Sequence, residues 1–196
     1  MIDALISSKT RIKLLLKFFL NSHATEYLRR LESEFGESSN GIRLELNRLE
    51  KAGLLTSGSE GNKKIYRANT AHPLFREIHS IVIKHLGLDQ VVENVIQRLG
   101  DVQRVYLTGD FSRGIDSQVI DLVFIGDFDK TYLTSLVEKA EKIVGRKIRY
   151  LIYDTLEAGS IDWTKYNPEP LLLWSQHDNS SSVLSAGANT SLIFII

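Results

Sequence analysis

Residues 107–127, LTGDFSRGIDSQVIDLVFIGD, contain the side chains of this sequence that are best suited to chemistry. An apolar segment leads into a turn with Gly109 and Gly114, and a second apolar segment carries a single acid, Asp121. Backbone N–H groups of such a turn can approach a phosphate, and carboxylates are preferred ligands of divalent cations. The pattern indicates the outline of a phosphate and metal site, with Asp110 as a further acid inside the turn.

The elements around this stretch alternate between helix and strand, which is typical of an α/β domain. The sequence predicts a helix at 88–100, strands at 102–109 and 119–126, a helix at 129–145 and a strand at 147–154. This order resembles the minimal nucleotidyltransferase fold of the DNA polymerase beta type. The family has Gly-Ser and Arg-Gly in the turn, Asp-x-Asp on the next strand and another carboxylate on a later strand. The resemblance implies two divalent metals that hold the phosphates of a nucleotide for in-line attack.

The residues match the family's pattern only in part. The matching positions are Gly109, Arg113, Gly114 and Asp121. Asp110 stands where the resemblance requires Ser, Val119 stands where it requires the first Asp, and the third strand has no acid before Asp154. On that strand, either Ile148, Tyr150 and Ile152 or Arg149 and Leu151 point inward.

These departures argue against catalysis. A lone carboxylate cannot position two Mg²⁺ ions, and a charge at Asp110 would repel a triphosphate by about 1 kcal/mol in water and ~4 kcal/mol at an effective dielectric of 20. We therefore expect no catalytic residue, metal or cofactor. Gly109, Asp110, Arg113, Gly114 and Asp121 would form a degenerate nucleotide site, open at most to a small anionic ligand or a protein partner. One alternative stays open, in which Asp110 and Asp116 replace the missing metal ligands.

The N-terminal half predicts three helices and a hairpin, the order of a helix-turn-helix domain followed by a wing. The helices are expected at 7–20 with Ser7 or Ser8 as cap, at 24–36 with Thr25 as cap, and at 37–55 with Gly53 at its end. The strands of the hairpin are expected at Leu54–Ser57 and Lys64–Ala68. A fourth helix at 72–88 carries the apolar stripe Leu74, Ile78, Ile81, Val82 and Leu86, a candidate interface of a homodimer.

The third helix and the hairpin have the side chains of a DNA-binding surface. Asn and Arg suit the adenine and guanine edges in the major groove, and Lys contacts phosphates. The candidate DNA-binding residues are Ser39, Asn40, Arg43, Asn47, Lys63, Lys64 and Arg67. The segment IRLELNRLEKAGLLTSGSEGNKKIYRAN resembles the recognition helix and wing of ArsR-type winged-helix transcriptional regulators over roughly residues 8–86. Metal-sensing members of that group use Cys or clustered His and Asp, whereas this chain has no Cys and its five His do not cluster.

Composition and charge divide the chain. Residues 1–87 hold 14 Lys and Arg against 9 Asp and Glu, and residues 88–196 hold 10 against 15, so only the first half is basic. The expected domains are 1–87, 88–176 and a linker-like tail at 177–196, whose apolar end SLIFII would pair with a sheet edge of its own chain or of a partner. The absence of cysteine excludes disulfides, and no apolar run is long enough to span a membrane. We expect a cytoplasmic bacterial protein.

The fold class expected from the sequence is a two-domain α+β and α/β protein. An N-terminal winged helix-turn-helix is followed by a nucleotidyltransferase-like mixed sheet with flanking helices. The predicted function is that of a transcriptional regulator that binds double-stranded DNA and carries an inactive nucleotidyltransferase-like domain. Two alternatives are an active metal-dependent nucleotidyltransferase that the winged helix brings to its target, and an adaptor in which both domains bind protein.

Overall fold

The computed structural model describes residues 6–167 and 169–176, which form two compact units of mixed α and β structure. The first unit comprises 6–85 together with the turn 113–116, and the second comprises the described residues from 86 to 112 and from 117 onward. The division after His85 lies close to Gly87, where the sequence suggested a boundary. The turn 113–116 differs from that suggestion, because it belongs to the first unit.

The first unit combines four helices with a three-stranded antiparallel sheet of order β1-β3-β2. The elements are α1 (Lys9–Leu15), which continues as a π-helical segment (Leu16–Leu20), β1 (Glu26–Tyr27), α2 (Leu28–Phe35), α3 (Ser39–Lys51), β2 (Leu55–Glu60), β3 (Lys63–Ala68) and α4 (Phe75–Leu86).

The ends of the helices follow from the sequence. Ser8 Oγ accepts a hydrogen bond from the N–H of Arg11 at the start of α1, and Ser38 Oγ accepts one from the N–H of Gly41 at the start of α3. Such caps satisfy N–H groups that have no partner inside the helix. Gly36 ends α2 in the left-handed conformation, at a φ of +63°, which glycine adopts without strain.

The predicted helix at 24–36 with Thr25 as cap is wrong at its beginning. Glu26 and Tyr27 form β1 instead, which pairs with Tyr66 and Ile65 of β3. The helix α2 begins at Leu28 and has no side-chain cap. The pairing partners lie about forty residues away along the chain, so local periodicity could not indicate this strand.

The hairpin β2–β3 is longer than predicted. Its strands meet at a two-residue turn, Gly61-Asn62, in which Gly61 has a φ of +56°. Two-residue turns of this kind match the twist of the flanking strands and favour Gly and Asn. The turn therefore places Lys63 and Lys64 directly after the tip.

The stripe predicted on α4 is only partly available to a partner. Val82 and Leu86 are buried within the chain, whereas Leu74 and Ile81 are exposed and Ile78 is half-buried. Of the predicted stripe, Leu74, directly before α4, and Ile78 and Ile81 on α4 therefore remain accessible to a partner.

The second unit contains a four-stranded mixed sheet of order β6-β5-β4-β7, in which only the pair β5 and β6 is parallel. The elements are α5 (Leu88–Val91), a π-helical segment (Val92–Ile96), α6 (Gln97–Leu99), β4 (Val102–Thr108), α7 (Gly109–Ser112), β5 (Val119–Gly126), α8 (Lys130–Val144), β6 (Lys147–Tyr153), 3₁₀ turns at Glu157–Ser160 and Trp163–Lys165, and β7 (Leu171–Ser175).

The helix α8 shows why apolar spacing predicts a core only approximately. Asp129 caps it by accepting hydrogen bonds from the N–H groups of Thr131 and Tyr132. Leu133, Leu136, Val137 and Ala140 lie at helical spacing and are buried, but Ile143, which continues this spacing, is exposed. Ile143 lies in the last turn of α8, which ends at Val144.

The predicted tail at 177–196 lies outside the described residues. Among residues 6–167 and 169–176, no helix combines the length and the apolar character that crossing a membrane would require.

Candidate functional site

Gly109 and Asp121, two residues of the predicted nucleotide site, lie against each other in the second unit. The register of β4 and β5 pairs Thr108 with Asp121, so Gly109 follows directly beside the carboxylate. Gly109 has a φ of +66°, and a Cβ at this position would lie 2.5 Å from Asp121 Oδ2. Both the backbone conformation and the close approach therefore require glycine.

The carboxylate of Asp121 is held by an arginine. The parallel pairing of β5 with β6 places Arg149 opposite Asp121. Arg149 Nε donates to Oδ1 at 2.7 Å and Nη2 donates to Oδ2 at 2.9 Å, which is the two-pronged geometry of strong guanidinium–carboxylate pairs. The hydrogen bonds to Asp121, with the charges of Asp121 and Asp110, raise the pKa of Arg149.

A guanidinium thus forms hydrogen bonds with both oxygens of the carboxylate that a divalent cation would use as a ligand. The sequence left the orientation of Arg149 undecided between two faces, because strand register was not visible in it. Comparison with the nucleotidyltransferase pattern could not identify Arg149 either. The pattern expects a carboxylate on the third strand, whereas Arg149 is a cation that pairs with the carboxylate of Asp121.

Arg113, Gly114 and Asp154 are the remaining residues that the sequence raised in connection with this site. Arg113 and Gly114 belong to the first unit, where a Cβ on Gly114 would lie 2.5 Å from the Cα of Lys17. Asp154 follows Arg149 by five residues, about 16 Å along an extended strand. Its Oδ1 accepts a hydrogen bond from the N–H of Glu157 at 2.7 Å.

Of the five residues predicted for the nucleotide site, Gly109, Asp110 and Asp121 belong to the second unit. Asp116 also belongs to the first unit, so the two acids proposed as replacement ligands, Asp110 and Asp116, are divided between the units. In the part of the chain that the structure describes, no group of three or more His, Cys, Asp or Glu side chains could hold a metal ion.

A second candidate site lies in the first unit, between α2, α3 and the hairpin. It is an open cleft of about 670 Å³. Its lining residues are four cations, Arg29, Arg43, Lys63 and Lys64, two asparagines, Asn47 and Asn62, and the four larger side chains Tyr27, Leu28, Leu46 and Tyr66. None of the described residues that line it is acidic, so the cleft has the charge of an anion-binding surface.

The outer face of α3 is formed by the polar residues that the sequence singled out. Asn40, Arg43 and Asn47 are exposed, whereas Ile42, Leu46 and Leu49 pack their side chains into the unit. Residues three and four apart share one face of a helix, so the three polar side chains point the same way.

The two lysines after the hairpin tip have different environments. Lys63 Nζ lies 4.4 Å from the centre of the Tyr27 ring, a cation–π contact that leaves the lysine exposed. Lys64 donates to Glu50 Oε2 of α3 at 2.7 Å. This hydrogen bond raises the pKa of Lys64, and it lowers the pKa of Glu50 together with a hydrogen bond from Ser57. A phosphate that binds Lys64 therefore competes with Glu50.

Three of the predicted DNA-binding residues lie outside the cleft lining. Ser39 donates to Glu32 Oε1 of α2 at 2.8 Å, so its hydroxyl is engaged within the unit. Asn40 and Arg67 are exposed on α3 and β3. Tyr27 of β1, Arg29 of α2 and Asn62 of the hairpin turn also line the cleft, although sequence reasoning did not select them. The pairing of β1 with β3, which the sequence did not reveal, brings Tyr27 beside the hairpin.

Comparisons with known proteins find limited likeness. No family model matches the chain, and no curated protein sequence matches it. A candidate nucleotidyltransferase from Sulfolobus solfataricus is similar in structure over 48% of this chain and 84% of its own, with 21% identity and a TM-score of 0.33. A chain from the complex of tri-AMPylated HEPN toxin with MNT antitoxin from Shewanella oneidensis is similar over 48% of this chain and 76% of its own, with 14% identity and a TM-score of 0.33. At these values neither likeness assigns an activity or a site.

Proposed function

We propose that this chain is a transcriptional regulator that binds double-stranded DNA through its first unit and has no nucleotidyl transfer activity in its second. The order of helices and hairpin in the first unit supports a winged-helix domain of the ArsR type, in which α3 enters the major groove and the hairpin contacts the backbone. The second unit supplies the remains of a nucleotide site.

The observation that carries the DNA-binding proposal is the cleft between α3 and the hairpin. It brings together Arg29, Arg43, Lys63 and Lys64 without an acidic side chain among its described lining residues. Duplex DNA offers a dense line of phosphates, and cations that neutralise them release bound counter-ions.

The polar face of α3 supplies the base contacts of this proposal. Arg43 and Asn47 line the cleft and are exposed, so both side chains are free to leave the protein surface and reach base edges. Arginine recognises guanine and asparagine recognises adenine through paired hydrogen bonds in the major groove. We therefore assign Arg43 and Asn47 to base recognition, and Arg29 and Lys63 to phosphate contacts.

The alternative, an active metal-dependent nucleotidyltransferase, has one observation in its favour, the position of Asp121 against Gly109. Against it stands Arg149, whose guanidinium neutralises the charge of Asp121 and forms hydrogen bonds with both of its oxygens. Val119 lies two residues before Asp121 on β5 and offers no oxygen on the same face. We therefore prefer the proposal in which the second unit has no nucleotidyl transfer activity.

The experiment that tests DNA binding is selection of bound sequences from a random duplex pool. We expect an enriched sequence, and binding that weakens with salt, with a logarithmic slope of about −2 if the two cations Arg29 and Lys63 contact phosphates. Arg104 is an exposed arginine of the second unit, so the Arg104→Ala variant is the control, and its selection should return the same sequence. Absence of salt-dependent duplex binding by the full chain would contradict the proposal.

A further inference from the structure

Leu44 is an apolar side chain on the polar face of α3. Its side chain is 52% exposed, although the other apolar residues of the helix, Ile42, Leu46 and Leu49, are buried. It follows Asn40 by four residues and precedes Asn47 by three, so it lies on their face of the helix. The residue is therefore in the middle of the surface that we assign to the major groove.

The neighbours of Leu44 decide which kind of surface could cover it. Arg43 and Asn47, next to it on the same face, are both exposed. An apolar protein surface that covered Leu44 would also have to remove the Arg43 guanidinium from water, which is costly without a paired charge. The major groove of DNA combines hydrogen-bond acceptors with one apolar group, the 5-methyl of thymine.

We propose that Leu44 contacts the 5-methyl group of a thymine and thereby determines sequence specificity next to the bases that Arg43 and Asn47 recognise. This inference rests on the proposed function, because it needs α3 in the major groove. It adds an apolar contact that selects thymine over cytosine, whereas the hydrogen-bonding side chains select guanine and adenine.

The test uses the duplex recovered by selection from a random pool. Each thymine is replaced in turn by deoxyuridine, which removes the 5-methyl group and keeps the base pair. For the unchanged protein we expect one thymine per bound copy of α3 at which the replacement weakens binding about fourfold, the effect of one buried methyl group. The other replacements should have smaller effects.

Two variants connect that thymine to Leu44. Leu44→Ala should bind the thymine and deoxyuridine duplexes equally well at this position, and Leu44→Met, which keeps an apolar side chain, should retain the discrimination. Alanine is a good helix former and Leu44 is exposed, so α3 should persist in both variants. Leu151→Ala changes a leucine of similar exposure, 53%, on β6, and should leave the discrimination unchanged.

The outcomes separate this inference from the proposed function. Duplex binding without any thymine that depends on its methyl group overturns the role of Leu44 and leaves DNA binding intact. Full fourfold discrimination in Leu44→Ala would also overturn the role of Leu44 and leave DNA binding intact. A change of oligomeric state in that variant would instead assign Leu44 to a protein contact. No duplex binding at all overturns both proposals.

Discussion

Arg149 of β6 holds Asp121 of β5 through two hydrogen bonds between directly paired residues of neighbouring strands, Nε to Oδ1 at 2.7 Å and Nη2 to Oδ2 at 2.9 Å. Arg149 is largely exposed, whereas the Asp121 side chain is about one-fifth exposed. The charge that a metal ion would supply to Asp121 is thus supplied by the protein itself. A divalent cation bound here would compete with the positive charge of Arg149.

The first prediction is that the unmodified protein neither hydrolyses nor transfers a nucleotide in the presence of Mg²⁺ or Mn²⁺. Arg149 occupies both oxygens of Asp121, and Val119 supplies no second ligand. The measurement is incorporation of labelled nucleotide into the protein or into added acceptors, with Asp121→Ala as control. Transfer that disappears in this control would show that Asp121 is a working metal ligand.

The same reasoning predicts which variants should gain a metal site. Changing Asp110→Ser and Val119→Asp should not create a Mn²⁺ site while Arg149 remains, because the guanidinium still neutralises Asp121. Adding Arg149→Asp to those two changes places carboxylates on both neighbouring strands, and we expect Mn²⁺ binding at millimolar concentration or tighter. Calorimetry or the electron paramagnetic resonance signal of free Mn²⁺ measures it, and equal binding by the double and triple variants would contradict the role of Arg149.

The second prediction separates base recognition from phosphate contact. Arg43→Ala should weaken binding to the selected duplex by about 1–3 kcal/mol and relax the preference at one position. Lys63→Ala should weaken all sequences about equally and reduce the salt slope by about 1. Titrations at several salt concentrations, with selected and scrambled duplexes, measure both effects. Unchanged specificity in Arg43→Ala would remove that residue from base recognition.

Local patterns predicted the buried face of α3 and the bounds of β5, although α3 covers Ser39–Lys51 and not the predicted 37–55. The burial of Ile42, Leu46 and Leu49 follows from their helical spacing, and the predicted strand at 119–126 has the bounds of β5. In both elements the side chains that define the structure are neighbours in sequence.

The features that the sequence did not reveal depend on partners distant in the chain. β1 exists because Glu26 and Tyr27 pair with β3. The hydrogen bonds between Arg149 and Asp121 form because β6 adopts one register beside β5. A shift of one residue would turn Arg149 to the opposite face of the sheet. Register is set by the packing of the whole unit, so inspection of either strand alone could not decide it.

The third prediction concerns pH and His79. Its Nδ1 lies 2.6 Å from the carbonyl oxygen of Phe19, and burial lowers the pKa of His79, an effect that the bond to Phe19 only partly offsets. As the pH falls, His79 therefore binds a proton at a higher pH in the unfolded chain than in the folded chain. The free energy of unfolding should fall as the pH drops below about 6.5, the ordinary histidine value, and should level off below the pKa of the folded state.

The measurement for His79 must report the first unit. Both tryptophans, Trp163 and Trp174, lie in the second unit, so tryptophan fluorescence would not follow it. Hydrogen exchange of peptides from α1 and α4, measured from pH 7.5 to pH 5 with correction for intrinsic rates, gives the local stability. His79→Gln should flatten the pH dependence and His23→Gln, at an exposed position, should not. An unchanged slope in His79→Gln would exclude this residue as the cause.

The fourth prediction is a homodimer through α4. On α4, Ile81 is exposed and Ile78 is half-buried, and the exposed Leu74 lies directly before the first residue of the helix, four residues before Ile78. Symmetric dimers are the commonest soluble oligomers and suit palindromic DNA sites. Sedimentation of the unmodified protein should give a dimer at micromolar concentration, and Ile81→Glu should give a monomer. Leu151→Glu, at an exposed position of β6, is the matched control, and a monomeric unmodified protein would end this idea.

The fifth prediction concerns the ion pair between Lys64 and Glu50, which holds a hairpin lysine against α3. Glu50→Gln removes the competing charge, while the amide keeps an oxygen that can accept the hydrogen bond from Ser57. Lys64 is then available to a phosphate, so duplex affinity should rise about fivefold, the equivalent of an exposed ion pair worth about 1 kcal/mol. The salt slope should become steeper by about 0.9, because one more phosphate is neutralised.

The specificity of this effect follows from two further variants. Glu60→Gln removes an exposed acid from the hairpin that carries Lys64 and changes the net charge by the same amount as Glu50→Gln. If proximity to Lys64 matters, Glu60→Gln should change affinity less than Glu50→Gln. In the double variant Glu50→Gln, Lys64→Ala the gain should vanish, because the released cation is absent. A gain that persists in this double variant, or that is equal in Glu60→Gln, would show that overall charge controls affinity and that Lys64 does not contact the phosphates.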